Sequence, residues 1–413
     1  MRIFYVARRV PFPPDRGDKI ATYNQVRHLS RAHEVHVFCT ADSAEDMENV
    51  VGAEKFAASV TAVPVHGWRG GLRALLALFT GAPLSVAMMN ERALHDAVAR
   101  AHAELRPDVI IVYSSNVAQF VEPFAATVRI MHFADLDSLK WTRYAAQTPP
   151  PMRWIYAIEG RRLLAYERRI AHSFSHSLVC TEAERRDFEA AIPGAPVSIV
   201  RNGVDLDVFR PGGAAKVPGR ILFTGVMDYF PNVDAVVWFV ADILPRVREE
   251  MPNAHLVICG SRPSRAVRAL AARAGVTVTG RVPDVRPYLE AAEIFVAPLR
   301  IARGIQNKVL EAMAMGLPVV ASVAAWAGTA IPRGEGIEAT DDAAGYAGHV
   351  LRLLRDAAYR DSMGAAARAA VERDYAWPAQ MEILDHVIAR ARSDAILQKQ
   401  PCASFTASTS RTA

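Results

Sequence analysis

Short runs of apolar and β-branched residues alternate along the chain with longer segments whose apolar positions recur every three to four residues. The first pattern predicts buried strands at 2–7, 34–39, 108–114, 129–133, 177–181, 220–225, 255–260, 276–280, 293–299 and 318–322. The second pattern predicts helices at 19–30, 95–105, 232–250, 264–275, 343–371 and 378–392. This order indicates an α/β protein, with parallel sheets covered by helices.

The stretch VRNGVDLDVFRPGG, residues 200–213, is rich in turn-forming residues and separates two such series. Because 413 residues suit two moderate domains, we expect two Rossmann-like domains that face each other across a cleft. The predicted divisions are an N-terminal domain at 1–205, a linker at 206–219, a C-terminal domain at 220–378, a helix at 379–392 that could cross back to the first domain, and a disordered polar tail at 393–413.

Composition narrows the class of partner. A net charge of +5 suits phosphate-bearing substrates or an anionic membrane surface, whereas 8% aromatic residues without a long basic run disfavour nucleic acid. The cysteines form no CxxC pair, so neither a disulfide framework nor a zinc site is expected, and a cytoplasmic location fits. The first residues read as a strand rather than a signal peptide, and no apolar run reaches the roughly 18 residues of a membrane span.

The most informative stretch is RGIQNKVLEAMAMGLPVVAS, residues 303–322. Asn307 is a good N-cap for the helix that follows, so the helix would begin at the carboxyl end of a strand and form an anion site. Gly304 allows close approach of a phosphate, and Lys308 adds a positive charge. Glu311 lies on the same helix face, where it could accept hydrogen bonds from a sugar's hydroxyl groups. The alternative is an ordinary surface helix with a Lys–Glu pair.

This stretch resembles the donor-site signature of retaining glycosyltransferases of family 4, which have the GT-B fold. RNGVD at 201–205 and GRVPDVRPYLEAAEIFVAPL at 280–299 resemble neighbouring segments of the same family. RRVPFPPDRGDKIATYNQVRHLS and MHFADLDSLKWTRYA resemble a bacterial subgroup associated with exosortase (PEP-CTERM) and exopolysaccharide systems.

The resemblance implies that the C-terminal domain binds a nucleotide sugar and the N-terminal domain binds the acceptor. The implied donor-binding residues are Gly17, Gly225, Arg281, Val282, Arg303, Gly304, Ile305, Lys308 and Glu311. In this set Lys308 neutralises the leaving diphosphate and Glu311 binds the ribose hydroxyls. One position departs from the family pattern, because Arg303 occupies the place of the first glutamate of the motif. The resemblance therefore does not indicate how the donor hexose is bound.

The implied catalytic residues are His132, Asp135 and Lys308. His132 follows a predicted strand and would lie near the donor sugar, although a lone histidine is often a structural residue. Asp135 and Asp137 form a D-x-D pair. We expect this pair to orient acceptor hydroxyls, cap the next helix or pair with Lys140 and Arg143, and not to bind a metal.

Other candidates each have a structural alternative. Gly17 lies in a loop that would line the cleft, while Asp18 could simply cap the first helix. Asp228 and Asn232 could contact the ligand beside Gly225, or they could be a turn residue and a helix N-cap. Arg281 could contact the nucleotide base or be a surface charge.

The segment GWRGGLRALLALF at 67–79 mixes arginines with an apolar run. It could rest on an anionic membrane and admit a lipid-linked acceptor, or it could be a buried helix with one exposed edge.

These observations predict a hexosyltransferase that moves a sugar from a nucleotide-sugar donor to a glycan or polyprenyl-linked acceptor with retention, in exopolysaccharide synthesis. The nucleotide sugar is a co-substrate, and neither a cofactor nor a metal is expected. Peripheral contact with the cytoplasmic membrane face fits this activity. The alternatives are a nucleotide-sugar 2-epimerase of the same fold and a non-catalytic nucleotide-sugar-binding protein.

Overall fold

The computed structural model describes residues 1–15, 17–65, 67–302 and 304–399, without the side chains of 398 and 399. Within these ranges the chain forms two parallel β-sheets, one in each half. No helix in the same ranges has both the length and the apolar character to cross a membrane.

The N-terminal half contributes nine α-helices and seven strands among the described residues. The strands are β1 Arg2–Ala7, β2 Glu34–Ala41, β3 Ser59–Pro64, β4 Val109–Tyr113, β5 Val128–Ala134, β6 His176–Val179 and β7 Val197–Ile199. The helices are α1 Gly17–Leu29, α2 Ala44–Glu48, α3 Val50–Glu54, α4 Gly67–Thr80, α5 Leu84–Met88, α6 Arg92–Leu105, α7 Asp137–Gln147, α8 Met152–Ser173 and α9 Glu182–Ala191, with a 3₁₀ turn at Ser115–Phe120.

The C-terminal half repeats the pattern with six strands in the part of the chain that is described. The strands are β8 Arg220–Thr224, β9 His255–Cys259, β10 Val276–Gly280, β11 Ile294–Ala297, β12 Val319–Ala321 and β13 Ile337–Ala339. The helices are α10 Phe230–Trp238, α11 Leu244–Glu250, α12 Arg265–Leu270, α13 Arg286–Ala291, α14 Asn307–Ala314, α15 Val323–Ala327, α16 Ala343–Arg355, α17 Ala357–Asp374 and α18 Trp377–Lys399.

Strand order places the functional edge of each sheet. The N-terminal sheet runs β3-β2-β1-β4-β5-β6-β7 and the C-terminal sheet runs β10-β9-β8-β11-β12-β13. In both sheets the order reverses beside the first strand, between β1 and β4 and between β8 and β11. Ligands of open α/β sheets bind at the carboxyl ends of the strands at such a reversal, so each half presents one binding crevice.

The N-terminal sheet is buried on both faces, and every residue of its strand β1 after Arg2 is apolar and buried. Ile3 and Tyr5 belong to one core cluster, while Phe4 and Val6 belong to the cluster on the opposite face. A strand buried on both sides has a continuous apolar sequence, which is why RIFYVA has no polar alternation.

The last helix, α18, packs against the N-terminal sheet and ties the two halves together. Trp377, Met381, Leu384 and Ile388 are buried in the same core cluster as Ile3 and Tyr5. Their spacing of three to four residues places them on one face of α18.

The structure corrects several boundaries. The helix predicted at 232–250 is interrupted by a π-helical segment, Phe239–Ile243. The stretch at 343–371 is divided at Asp356, whose carboxylate accepts the Tyr359 N–H at 2.9 Å and caps α17. The strands β3, β7 and β13 were not predicted, because they are short or half-exposed. The predicted disordered tail began too early, since α18 runs on to Lys399. The remainder, 400–413 with Cys402, lies outside the described residues.

The packing of α18 leads to a stability prediction. Leu384 is fully buried in the N-terminal core, so Leu384→Ala should lower the free energy of unfolding by about 2–5 kcal/mol. Leu397→Ala is the control, because Leu397 lies on the same helix and is 65% exposed; it should change stability by less than about 0.5 kcal/mol. Urea unfolding followed by circular dichroism measures both, and equal effects would mean that α18 is not held by this core.

Candidate functional site

A cavity of about 360 Å³ lies between the two domains. Residues that follow β1, β4, β5 and β6 line it from the N-terminal side, and Gly304 and Ile305, which follow β11, line it from the C-terminal side. The predicted donor-loop residues Gly304 and Ile305 therefore meet the N-terminal domain at the strand-order reversal of both sheets.

The backbone is strained where two strands enter this cavity. Ser114 and Ala134, which lie at the ends of β4 and β5 and line the cavity, have φ angles of 86° and 59°. Residues other than glycine seldom adopt positive φ, and such positions concentrate at functional sites. The strain marks this edge as a binding surface on grounds independent of charge.

Two helices direct their N-terminal ends into the same space from opposite domains. A Cβ atom built on Gly17, the first residue of α1, would lie only 3.8 Å from Nδ2 of Asn307, the first residue of α14. The N–H groups of a helix's first turn have no partner within the helix, and the dipole is positive there. Two such ends facing each other favour a doubly charged anion between them.

The structure corrects two capping predictions. Asn307 is the first helical residue of α14, and Gln306 occupies the N-cap position. Asp18 lies inside the first turn of α1, where its carboxylate binds Arg9.

Lys308 lies in the first turn of α14, and its ammonium group is held by contacts within the C-terminal domain. Its Nζ donates a 2.6 Å hydrogen bond to Oδ1 of Asn232 and lies 4.6 Å from the centre of the Phe223 ring. A Cβ atom on Gly225 would come within 2.9 Å of the same Nζ. Position 225 therefore requires glycine for the ammonium to stay where it is, which gives Gly225 a steric role beside the site.

Lys308 and Glu311 perturb each other one helical turn apart. Burial lowers the pKa of Lys308 to about 7, while the Glu311 carboxylate opposes that change. Burial likewise raises the pKa of Glu311 to about 7, against the attraction of Lys308. Because burial makes the charged form of Lys308 costly, a phosphate placed beside the ammonium group would stabilise that form strongly.

Two cationic side chains of the N-terminal wall are paired with aspartates of their own domain. Arg9 is bound by Asp18 and by Asp42, the latter at 2.7 Å, and Lys19 donates at 2.7 Å to the buried Asp46.

Arg8 stands apart from these paired cations. Among the residues that the structure describes it forms no ion pair, and its buried Nε has no hydrogen-bond partner. Burial, followed by repulsion from Arg9, lowers the pKa of Arg8. Arg8 lines the cavity, and among the described arginines that line it Arg8 is the one without an ion-pair partner.

Glu184 of the N-terminal domain brings a carboxyl group close to Gly304 of the C-terminal domain. Its Oε1 would lie 3.1 Å from a Cβ atom on Gly304, whose φ is 59°, and its Oε2 accepts the Cys180 N–H at 3.0 Å. Burial, reinforced by the negative charge of Asp135, raises the pKa of Glu184 to about 7. Both the left-handed backbone and the nearby carboxylate therefore favour glycine at position 304.

His132 lies behind the cavity wall and has no exposed surface. Its Nδ1 accepts from the Gln25 amide at 3.1 Å, because the Gln25 oxygen is already taken by the Tyr5 hydroxyl at 2.8 Å. The ring proton is then on Nε2, which lies 3.6 Å from the Cys180 sulfur. Tyr113 and Cys180 line the cavity in front of the ring. The predicted contact of His132 with a donor sugar is not made in this conformation.

Asp135 and Asp137 both line the cavity. Asp137 accepts a hydrogen bond from Lys140, one of the alternatives considered for it, whereas Arg143 pairs with Asp187 at 3.6 Å. Within the described ranges no group of three histidine, cysteine or acidic side chains has the geometry of a metal site.

Of the predicted donor-binding residues that the structure describes, Gly17, Gly304 and Ile305 line this cavity, whereas Gly225, Arg281, Val282, Lys308 and Glu311 do not. Arg281 is exposed and Val282 is partly buried, both just after β10 at the carboxyl edge of the C-terminal sheet. Asp228 pairs with Arg262 at 3.1 Å, and Asn232 serves Lys308. Arg303 lies outside the described residues.

Comparison with known families accounts for both halves of this arrangement. Residues 17–203 match the model "Glycosyl transferase 4-like domain", and residues 218–356 match "Glycosyl transferases group 1". The chain consists of two glycosyltransferase domains in the GT-B arrangement. The predicted fold is thereby confirmed. The boundary between the two matched segments falls at the predicted linker.

Curated relatives of the chain are similar over part of their length. A GDP-mannose-dependent monoacylated α-(1-6)-phosphatidylinositol monomannoside mannosyltransferase of Corynebacterium glutamicum is 32% identical over 35% of this chain and 41% of that protein. A D-inositol 3-phosphate glycosyltransferase of Frankia alni is 29% identical over 50% of this chain and 56% of that protein. The chain thus spans about half the length of the curated relatives it matches.

Solved GT-B structures resemble the whole molecule. Sucrose-phosphate synthase from Thermosynechococcus elongatus superposes with a TM-score of 0.69 at 17% identity, over 95% of this chain and all of the other. HepE of Anabaena in complex with UDP gives a TM-score of 0.67 at 14% identity, over 94% of this chain and all of the other. At these identities the likeness concerns the fold.

Among the residues of this GT-B cleft that sequence reasoning did not identify are Arg8 and Glu184. Arg8 directly follows β1, a position from which a cleft residue could have been expected. Glu184 follows Thr181 in the pattern of a capping box, and the Thr181 hydroxyl indeed accepts the Glu184 N–H at 3.1 Å. That local signal predicts a helix start and gives no hint of the facing domain.

The buried network around His132 predicts its protonation state. Because burial lowers the pKa of His132 to about 3, the ring should stay neutral, with its proton on Nε2, throughout pH 5–8. Nitrogen-15 NMR of the imidazole groups measures this, and His132→Gln assigns the signals. A His132 resonance that titrates between pH 6 and 7 would contradict the buried placement.

Proposed function

We propose that this GT-B protein transfers a sugar from a nucleoside-diphosphate donor to a hydroxyl group of a glycan acceptor, either free or linked to a lipid. The observation that carries the proposal is the convergence of the α1 and α14 N-termini on one cleft, with Lys308 in the first turn of α14. A diphosphate is the ligand whose charge this arrangement matches, and a sugar attached to it would extend into the cavity.

The named relatives and neighbours support a nucleotide-sugar donor. One curated relative is called GDP-mannose-dependent, and the HepE structure contains UDP. Several curated relatives are named as transferases to inositol phosphates or phosphatidylinositols. These names favour a hydroxyl-bearing acceptor and differ in base and sugar, so the proposal leaves base and hexose open.

We assign the donor to the C-terminal wall. Lys308 would contact the phosphates, and Glu311, one turn later, would accept hydrogen bonds from the ribose hydroxyls. Backbone N–H groups at Gly17 and Gly304 would complete the phosphate cradle. Arg8 would then approach the diphosphate from the acceptor side, because its guanidinium lines the same cavity.

In the proposed reaction the acceptor oxygen forms a bond to the anomeric carbon while the bond from that carbon to the diphosphate oxygen breaks. The acceptor proton passes to the departing diphosphate, so no enzyme base is required. The cations and helix ends stabilise the charge that develops on the leaving group, which is the largest contribution a preorganised site makes. Retention of configuration follows if attack and departure share one face.

Two further features belong to the same proposal. Charge neutralisation by Lys308 and the helix termini would make a metal unnecessary for leaving-group stabilisation. A role in exopolysaccharide synthesis, at the cytoplasmic face of the membrane, would supply the glycan acceptor.

Lys308 provides the central test. Lys308→Ala should lower nucleoside-diphosphate release from the cognate donor by about 100-fold or more, because one charge-stabilising group at the leaving oxygen is lost. The melting temperature should stay close to that of the wild type. Lys55→Ala, at an exposed lysine of the N-terminal domain, is the matched control and should be fully active. An active Lys308→Ala enzyme would refute the proposed phosphate site.

A donor screen distinguishes the proposal from its rivals. UDP-, GDP- and ADP-sugars are first ranked by thermal shift, and the best donor is then incubated with the protein alone. Slow release of the nucleoside diphosphate with a free sugar supports a transferase. Conversion into the 2-epimeric nucleotide sugar indicates an epimerase, and binding without turnover, even with acceptor present, indicates a binding protein.

The lowered pKa of Lys308 predicts a pH-dependent affinity. Near pH 7 the free protein is a mixture of ammonium and amine at Lys308, and a bound diphosphate favours the ammonium, so binding takes up a proton. In a Glu311→Gln background, which removes the opposing titration of Glu311, affinity for UDP or GDP should fall above pH 7, by up to about tenfold per pH unit. Titration calorimetry from pH 6.5 to 8.5 measures this. The double variant with Lys308→Ala should show no such slope.

A further inference from the structure

Helix α4 carries a row of large apolar side chains that face solvent. Trp68, Leu72, Leu75, Leu76 and Phe79 are each between 50% and 86% exposed. Their spacing of four, seven, eight and eleven residues from Trp68 places them along one side of the helix. We call this row the α4 stripe. Such a contiguous apolar surface is unusual on a soluble domain and marks an interaction site.

The opposite side of α4 is firmly attached to the domain, so the stripe stays turned outward. A Cβ atom on Gly70 would lie 3.1 Å from the Met88 carbonyl oxygen, so α4 and α5 are in close contact. Arg73 bonds to the Met88 carbonyl and to Glu91. At the other end Arg162 of α8 donates to the carbonyls of Ala77 and Leu78 at 2.8 and 2.9 Å. The helix is therefore fixed without using any residue of the stripe.

The charges of α4 are complementary to an anionic surface. The helix contains two arginines and no acidic residue. Arg73 is neutralised by Glu91, whereas Arg69 is exposed and its guanidinium lies 5.2 Å from the Trp68 ring centre. Arg69 precedes Leu72 and Leu76 by three and seven residues, which puts it along the edge of the stripe. An arginine beside a tryptophan on an apolar helix face suits the boundary between lipid headgroups and acyl chains.

The position of α4 relates the stripe to the cleft. The helix follows the carboxyl end of β3, and the carboxyl ends of all strands in a parallel sheet lie along one edge. The same edge carries the cavity between the domains. Glu159 of α8 binds the N–H groups of Leu84 and Ser85 next to α4, and α8 pairs with α7, whose Asp137 lines the cavity. A surface bound by α4 would thus lie beside the acceptor side of the cleft.

We propose that the α4 stripe lies flat in the headgroup region of an anionic lipid bilayer and holds the acceptor side of the cleft at the membrane. At 14 residues α4 is about 21 Å long, so it covers a patch of one leaflet. The proposal deepens the lipid-linked acceptor of the proposed function, but its test does not rely on sugar transfer.

The test measures binding of the full chain to vesicles of phosphatidylcholine with 30% phosphatidylglycerol, and to pure phosphatidylcholine, by flotation. The wild type should bind the anionic vesicles at least tenfold more tightly than the neutral ones. Leu75→Glu/Phe79→Glu should lose at least tenfold in binding to the anionic vesicles, since two carboxylates would enter the interface. Both residues are exposed, so the melting temperature should be unchanged.

Ile396→Glu/Leu397→Glu is the matched control, because it places the same two charges at comparably exposed residues of α18, Ile396 at 55% and Leu397 at 65%. It should bind vesicles like the wild type. The proposal is overturned if the wild type does not float with anionic vesicles, if Leu75→Glu/Phe79→Glu floats as well as the wild type, or if the wild type is a dimer that this variant dissociates. In the last case the stripe binds a second copy of the chain.

A crossed comparison separates this inference from the proposed function. Lys308→Ala should float normally and fail to release nucleoside diphosphate, whereas Leu75→Glu/Phe79→Glu should release it from a soluble donor at the wild-type rate and fail to float. If the wild type cleaves the donor but does not float with anionic vesicles, only the membrane proposal is refuted. Flotation without any donor cleavage would end the proposed function alone.

Discussion

The candidate site depends on one electrostatic constraint, the meeting of two helix N-termini where the two sheets face each other. Parallel strands place all their carboxyl ends at one edge, and the helices that follow begin there with unpaired N–H groups. Each domain supplies one such helix end, α1 or α14, and Gly17 and Asn307 bring the two almost into contact. Lys308, in the first turn of α14, adds positive charge when it is protonated. Neither domain alone supplies both helix ends, so the candidate site requires the two domains together.

Most cationic side chains of the N-terminal wall are already paired with acidic side chains. Arg9 and Lys19 are matched by Asp18, Asp42 and Asp46, so they stiffen the loops after β1 and β2 without adding a free charge to the cavity. Arg8 is left available among the described residues of that wall.

Behind the charged surface lies a neutral hydrogen-bonded layer. Tyr5, Gln25, His132 and Cys180 form a buried chain in which each polar group has a partner, and it connects β1, α1, β5 and the end of β6. Satisfied buried networks of this kind fix side chains in one arrangement. The layer gives His132 a positioning role for Tyr113 and Cys180, which form the visible wall of the cavity.

The sequence by itself determined the elements and the chemistry that is local to them. The apolar run of β1, the helix after Asn307 and its stop at Gly316 follow from periodicity and backbone preference, and the spacing of Lys308 and Glu311 puts both on one helix face. Only the tertiary structure decided what depends on contacts between distant segments. It buried His132 behind Tyr113, paired Arg9 but not Arg8, set Glu184 against Gly304, and turned the apolar side of α4 outward although that segment suits a buried helix equally well. Periodicity shows that a helix has an apolar face, but which neighbour covers that face is a property of the folded chain.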